Sequence, residues 1–279
     1  MWGLFPLYLR GIMDVPPSQV IAHRIVWCSV FVLAWLAIRR ELAAFGAAFA
    51  SGSVVLRLGT SALMVSINWL VYVWAVQHGH VVDASLGYFI NPLVSVLLGV
   101  VVLHERLNSA QKVAVGLAAA GVVYLTIVVG RLPWIALALA FSFGLYGFIR
   151  KVVAVDAVPG LAVETVLLTP LAGGYLLWCQ AQGSSAFGHH GATVDLLLVG
   201  SGLATAVPLA LFSFGARRIP LSTIGLIQYI GPSLQLLIGI TVFGEPFPAI
   251  RALGFVMIWL ALAVYVADGL LRTRKAERR

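Results

Sequence analysis

Ten apolar runs of helix length occupy almost the whole chain, and they constrain the fold more than any single motif. They cover 1–12, 18–38, 55–77, 81–103, 110–129, 132–149, 160–180, 193–215, 221–243 and 249–270. Wound as α-helices, runs of about 20 residues match a bilayer core of about 30 Å. They lack the alternation of barrel strands, and a helix satisfies its own backbone polar groups, as lipid requires. Only 10% of the residues are charged and 61% are hydrophobic, whereas soluble domains are about 25% charged. The predicted fold class is all-α integral membrane, with ten transmembrane helices and no separate soluble domain. Cys28 and Cys179 fall inside the runs and read as small buried hydrophobes. The first run is odd: twelve helical residues span about 18 Å, too short to cross. It is expected to be a truncated helix that begins upstream.

Lysine and arginine give the orientation. With the N-terminus in the cytoplasm, inside connections and the tail hold 14 of the 18 cations, among them Arg39, Arg40, Arg150, Lys151 and the RTRKAERR end. Outside connections hold Arg10, Arg131 and Arg251, and Arg24 lies within a run. Cationic loops mark the cytoplasmic side. The net charge of +8 is therefore a topology signal, with the tail against anionic lipid. A nucleic-acid partner is not expected.

One pattern is written twice. Residues 89–105 read FINPLVSVLLGVVVLHE and 229–245 read YIGPSLQLLIGITVFGE, an offset of 140. Each has Pro inside the run (Pro92, Pro232), Gly seven residues on (Gly99, Gly239) and Glu thirteen on (Glu105, Glu245). This predicts two five-helix repeats, 1–129 and 130–279. An odd helix number inverts the second, and inverted repeats suit alternating access around a midplane site. Pro92 cannot bond the Tyr88 carbonyl, nor Pro232 that of Gln228, so each helix is expected to kink. The kinks either line a cavity and gate it, or are packing bends repaired by a neighbour. Glu105 is placed on the inner side and Glu245 on the outer. Each pairs with a cation such as Arg106 or Arg251, caps the next helix, or latches a gate.

At helical spacing Ala84, Tyr88, Asn91 and Ser95 share a face, as do Gly225, Gln228, Pro232 and Gln235. Polar faces turn toward the bundle, as cavity wall or as helix-to-helix glue. Asn68 and Tyr72 share a face of the third run; aromatic groups there stack on a substrate, fill the core, or form an interfacial belt. His23 and Arg24 lie about two turns inside the second run, and Glu164 is in the matched place of the seventh. Arg24 is a candidate for an anionic substrate group, His23 for proton coupling, and Glu164 for proton relay or contact with an amine; the other reading is snorkelling for His23 and Arg24 and structural bonding for Glu164. His78, His80, Asp83, His189 and His190 show no full metal-ligand spacing. Nucleotide and hydrolase motifs are absent, so neither a cofactor nor catalysis is expected.

Several stretches carry a family likeness: HRIVW at 23–27, NWLVYVWAV at 68–76, ASLGYFINPLVSVLLG at 84–99, AFSFGLYGFIRK at 140–151 and LSTIGLIQYIGPSLQ at 221–235. They resemble the RarD branch of the EamA transporters, within the drug/metabolite transporter superfamily, over nearly the whole chain. The resemblance implies a ten-helix inner-membrane transporter with inverted repeats and a central cavity. It also implies a polar lead and fuller first helix before Trp2–Tyr8. The function expected is export of a small organic metabolite or drug-like molecule by a secondary transporter, with protons as a candidate coupling ion. The alternatives are an uncoupled facilitator and a non-transporting membrane partner or sensor.

Overall fold

The computed structural model describes residues 1–130, 134–220, 223–224 and 227–277. Of the residues singled out above, Arg131, Gly225, Arg278 and Arg279 lie outside the described residues. A 3-10 turn, Trp2–Leu4, leads into α1 (Phe5–Arg10), α2 (Pro17–Ile38), α3 (Leu42–Ala50), α4 (Gly52–Gln77) and α5 (Val81–Val101). Then come α6 (Ser109–Val129), α7 (Trp134–Val152), α8 (Ala157–Ala181), α9 (Ala192–Ala216), α10 (Ile230–Thr241) and α11 (Ala249–Glu277). Among the described residues, seven helices, α2 and α4 to α9, are long and apolar enough to span a bilayer; α10 is a shorter apolar helix. The chain is thus an all-helical, multi-pass membrane protein.

Local chemistry sets the helix boundaries. Pro17 opens α2, where its missing N–H leaves nothing unsatisfied. Asn108 and Gln111 form a capping box at the start of α6, and Gly130 ends that helix at φ 70°. The short, apolar α3 is a detour within the first positive connection and packs on α8.

The bundle is organised by pairs. α2 packs on α8 and α9, α7 on α4 and α5, α6 on α11, and the N-terminal turn on α10. Small residues let backbones approach. A Cβ on Gly202 of α9 would sit 2.5 Å from the Trp27 carbonyl carbon of α2, and one on Gly121 of α6 would sit 2.8 Å from the Gly254 carbonyl oxygen of α11. One core cluster joins α2, α4, α8 and α9; a second joins α5, α6, α10 and α11. The outer surface is apolar, with Leu56, Ile127, Leu171, Leu177 and Leu196 exposed, as lipid contact requires.

The two copies of the repeated pattern differ in one respect. α5 runs unbroken through Pro92. In the second copy Gln228 and Tyr229 form a turn just before α10. There the Gln228 carbonyl, which Pro232 cannot bond, accepts from Gly231 N–H at 3.1 Å.

Candidate functional site

A cavity of about 300 Å³ lies where α2, α4, α5, α7 and α10 meet the N-terminal turn. Asn68, Tyr72, Tyr88, Asn91, Gln228 and Gln235 all line it, together with Pro232 and Arg24. Ser95, predicted with them, is buried one turn further along α5 and does not line the cavity.

The polar groups form a connected wall. Asn91 Nδ2 donates to Gln228 Oε1 at 2.8 Å, so α5 meets the turn that leads into the second copy, side chain to side chain. Asn68 Nδ2 donates to the Leu139 carbonyl at 2.9 Å and to Ser142 Oγ at 3.1 Å, while its Oδ1 accepts from Tyr88 O–H at 3.1 Å. Tyr72 meets Tyr88 edge to face, with centroids 5.4 Å apart. Gln235 Nε2 donates to the Trp2 carbonyl at 3.1 Å. Aromatic rings of Trp2, Phe5, Trp69 and Phe143 complete the lining. Trp2 and Phe5 lie in the short first run, which gave no sign of a cavity role at the level of sequence.

The three charged candidates separate. Arg24, 3% exposed, reaches the cavity. Its Nε donates to Thr205 Oγ1 at 3.0 Å, and its guanidinium carbon lies 4.7 Å from the ring centroids of both Phe5 and Trp69. His23 points elsewhere and stacks on Phe187, with centroids 5.2 Å apart. Glu164 is buried among α4, α7 and α8, where it accepts from Ser61 Oγ at 2.7 Å and lies 3.7 Å from Arg150 Nη1. Arg150, read above as a cytoplasmic loop charge, is 1% exposed. It donates through Nε to Ser213 Oγ at 3.1 Å and through Nη2 to the Ala157 carbonyl at 2.9 Å.

The Gly and Glu of the repeated pattern have a shared geometry. Gly99 C=O accepts from Glu105 N–H at 2.9 Å, and Gly239 C=O from Glu245 N–H at 3.0 Å. The intervening residues, His104 at φ 54° and Gly244 at φ 66°, are both left-handed. A Cβ on Gly99 would lie 2.7 Å from Glu105 Oε2, and one on Gly239 would lie 3.3 Å from Val81. The spacing of Gly and Glu thus encodes a tight helix-ending turn.

The two carboxylates then diverge. Glu245 Oε1 and Oε2 accept from the N–H groups of Val81 and Val82 at 2.7 and 2.8 Å. It caps α5, not the helix that follows it, at the end where the dipole favours an anion. Burial pushes its carboxyl above the ordinary range, and the two N–H bonds partly offset that rise. Glu105 Oε1 lies 3.6 Å from Lys151 Nζ, which also donates to the carbonyls of Ala216 and Ile219 at 3.4 and 3.0 Å. That ammonium ties together the ends of α5, α7 and α9. Elsewhere His80 Nδ1 lies 3.4 Å from Asp83, and among the described residues no three potential ligands cluster as a metal site.

The arrangement is a small, largely aromatic chamber with a few directed polar groups, bracketed by two helix-end ties. Residues 1–127 match the EamA-like transporter family. The chain is 46% identical to Protein RarD of Streptomyces exfoliatus, over 100% of this chain and 89% of that protein. It is 45% identical to the uncharacterized transporter YojE of Bacillus subtilis (strain 168), over 95% and 89%. With Protein RarD of Escherichia coli (strain K12) the identity is 39%, over 100% and 94%. A protein known from a crystal structure, 20% identical, superposes with a TM-score of 0.67 over 94% of this chain and 92% of its own; at that identity it supports the fold alone. With near full-length identity of this order to several RarD proteins and a matching family signature, the chain belongs to the RarD branch of the EamA transporter family.

Proposed function

We propose that this membrane transporter is a secondary exporter of a small organic metabolite or drug-like molecule, working by alternating access through the central cavity. The observation that carries the reading is the Asn91–Gln228 bond, which joins α5 of the first copy to the turn that leads into the second copy, on the chamber wall, at 2.8 Å. If the halves 1–129 and 130–279 are inverted repeats, the chamber sits on their pseudo-symmetry axis. Outward opening then releases Glu245 from Val81 and Val82, and inward opening releases Glu105 from Lys151. The cation distribution supports an inner-membrane location with the C-terminus cytoplasmic, and the N-terminus too where the first helix is complete.

Proton coupling falls to Glu164, with His23 as its partner group on the other side. A proton taken up by Glu164 removes the partner charge of Arg150, 3.7 Å away, and loosens the contact of α7 with α8. In proteoliposomes with an imposed pH gradient, the wild type should accumulate cargo against its gradient. Glu164→Gln should retain downhill exchange and lose accumulation. Flux indifferent to the gradient in the wild type would favour an uncoupled facilitator, and no flux of any metabolite class by folded protein would sink the transporter mechanism.

A further inference from the structure

The charge inventory of the chamber is lopsided. Among the described residues, Arg24 is the one cationic side chain that lines it, and no carboxylate lines it. A guanidinium stays protonated in proteins, so the chamber carries a fixed positive charge away from water. That charge is met by two ring faces and one neutral hydroxyl, which soften it and do not neutralise it. The contrast with Arg150 is instructive: equally buried, Arg150 has Glu164 beside it. Arg24 Nη1 has no hydrogen-bond partner, nor do the Tyr72 hydroxyl and Gln228 Nε2, two further donors on the same wall. Buried donors without acceptors are uncommon, and functional sites are where they occur.

We infer that the cargo is a small organic acid with a single negative charge, an aromatic or apolar body and no ammonium group. The assignment rests on the transporter reading for the cargo's movement, and on the chamber alone for its chemistry. A carboxylate accepts from Arg24 and from the neighbouring hydroxyl and amide donors. A dianion would leave one buried charge without a side-chain partner, because Arg24 is the one cationic side chain in the lining. An ammonium would meet Arg24 as a like charge and find only neutral amide oxygens on the wall. The volume, about 300 Å³, is at the small end of ligand pockets, and its rings suit a flat body stacking beside Phe5 and Trp69.

Matched ligands on one carbon frame test this. Purified protein in nanodiscs is titrated calorimetrically with 3-phenylpropionate, 3-phenylpropanol, 3-phenylpropylamine and phenylalanine, and with the corresponding indole set. The acid of at least one frame should bind about tenfold tighter than its alcohol, amine and amino acid, the factor that one charge-assisted hydrogen bond supplies. Arg24→Gln should erase that preference, while Arg24→Lys should keep part of it. An amine, alcohol or zwitterion binding as tightly as the acid overturns the inference. So does no binding by any member, or a folded Arg24→Gln protein that still prefers the acid. If Arg24→Gln does not fold, the wild-type series and Arg24→Lys decide. Counterflow of radiolabelled acid in proteoliposomes is read separately. Selective binding without flux leaves the anion site and removes the transporter reading; flux of alcohol or amine without preference for the acid does the reverse.

Discussion

At the scale of single residues, two buried arginines teach opposite lessons. Among the described residues Arg24 has no acidic neighbour, and it faces a chamber; Arg150 is ion-paired, makes two hydrogen bonds and is closed off. Breaking the second pair should be severe. Arg150→Met, leaving Glu164 buried without its cation, should destabilise the folded protein by about 3–5 kcal/mol. Arg150→Met with Glu164→Leu should recover most of that loss. Unfolding of both variants in mixed micelles by increasing dodecyl sulfate measures the difference; equal stability of single and double variants would show that the pair contributes nothing. Asn68→Ala should cost about 1–3 kcal/mol in the same assay, because it leaves the Tyr88 hydroxyl without a partner. Arg150 escaped the sequence reading for a physical reason. An Arg-Lys pair closing an apolar run scores as a cytoplasmic edge, and hydropathy holds no record of which member turns inward.

At the scale of elements, the repeated helix ends show what a spacing can encode. Gly and Glu lie six residues apart in both copies because the Glu N–H must return to the Gly carbonyl, through a residue at positive φ. The first copy places His104 there and the second Gly244. A left-handed non-glycine residue costs roughly 1–2 kcal/mol. His104→Gly should therefore stabilise the protein, and Gly244→Ala should destabilise it, each by about 1 kcal/mol. No neighbouring atom lies within 4 Å of a Cβ built at Gly244, so the second change reports backbone strain without a clash. Thermal unfolding followed by tryptophan fluorescence would show both shifts; movement in the same direction would argue against the turn. Helical periodicity was enough to gather Asn68, Tyr72, Tyr88, Asn91, Gln228 and Gln235 onto inward faces, because polar groups avoid lipid. It could not exclude Ser95, because a serine hydroxyl can be satisfied within its own helix and so need not face a cavity. Nor could it find the partner of Glu245, since backbone N–H groups leave no mark in a sequence.

At the scale of the whole molecule, the chamber lies between two ties that engage different helix ends. Glu245 holds the start of α5, which the proposed orientation puts on the outer side, and Lys151 holds the ends of α5, α7 and α9, which it puts on the inner side. Weakening either should shift the population of accessible states by its differential contacts alone. With Gln235→Cys as reporter and Cys28 and Cys179 replaced by Ala, Glu245→Ala should speed labelling by an impermeant maleimide from the outer side. Lys151→Ala should speed it from the inner side, each about tenfold for a loss of about 1.4 kcal/mol. Acceleration on the opposite side in either variant would reverse the assignment of the ties. The fold class and the chamber's polar wall were legible in the sequence because lipid imposes simple rules on helices. The ties were not, because each joins groups brought together only by packing. The Glu245 cap also bears on how the protein is made. Val81 leaves the ribosome 164 residues before the carboxylate that will cap it. At about 5–20 residues per second, the start of α5 must rest at the membrane surface for on the order of ten to thirty seconds, its N–H groups held by water, until the second copy of the pattern arrives to close it.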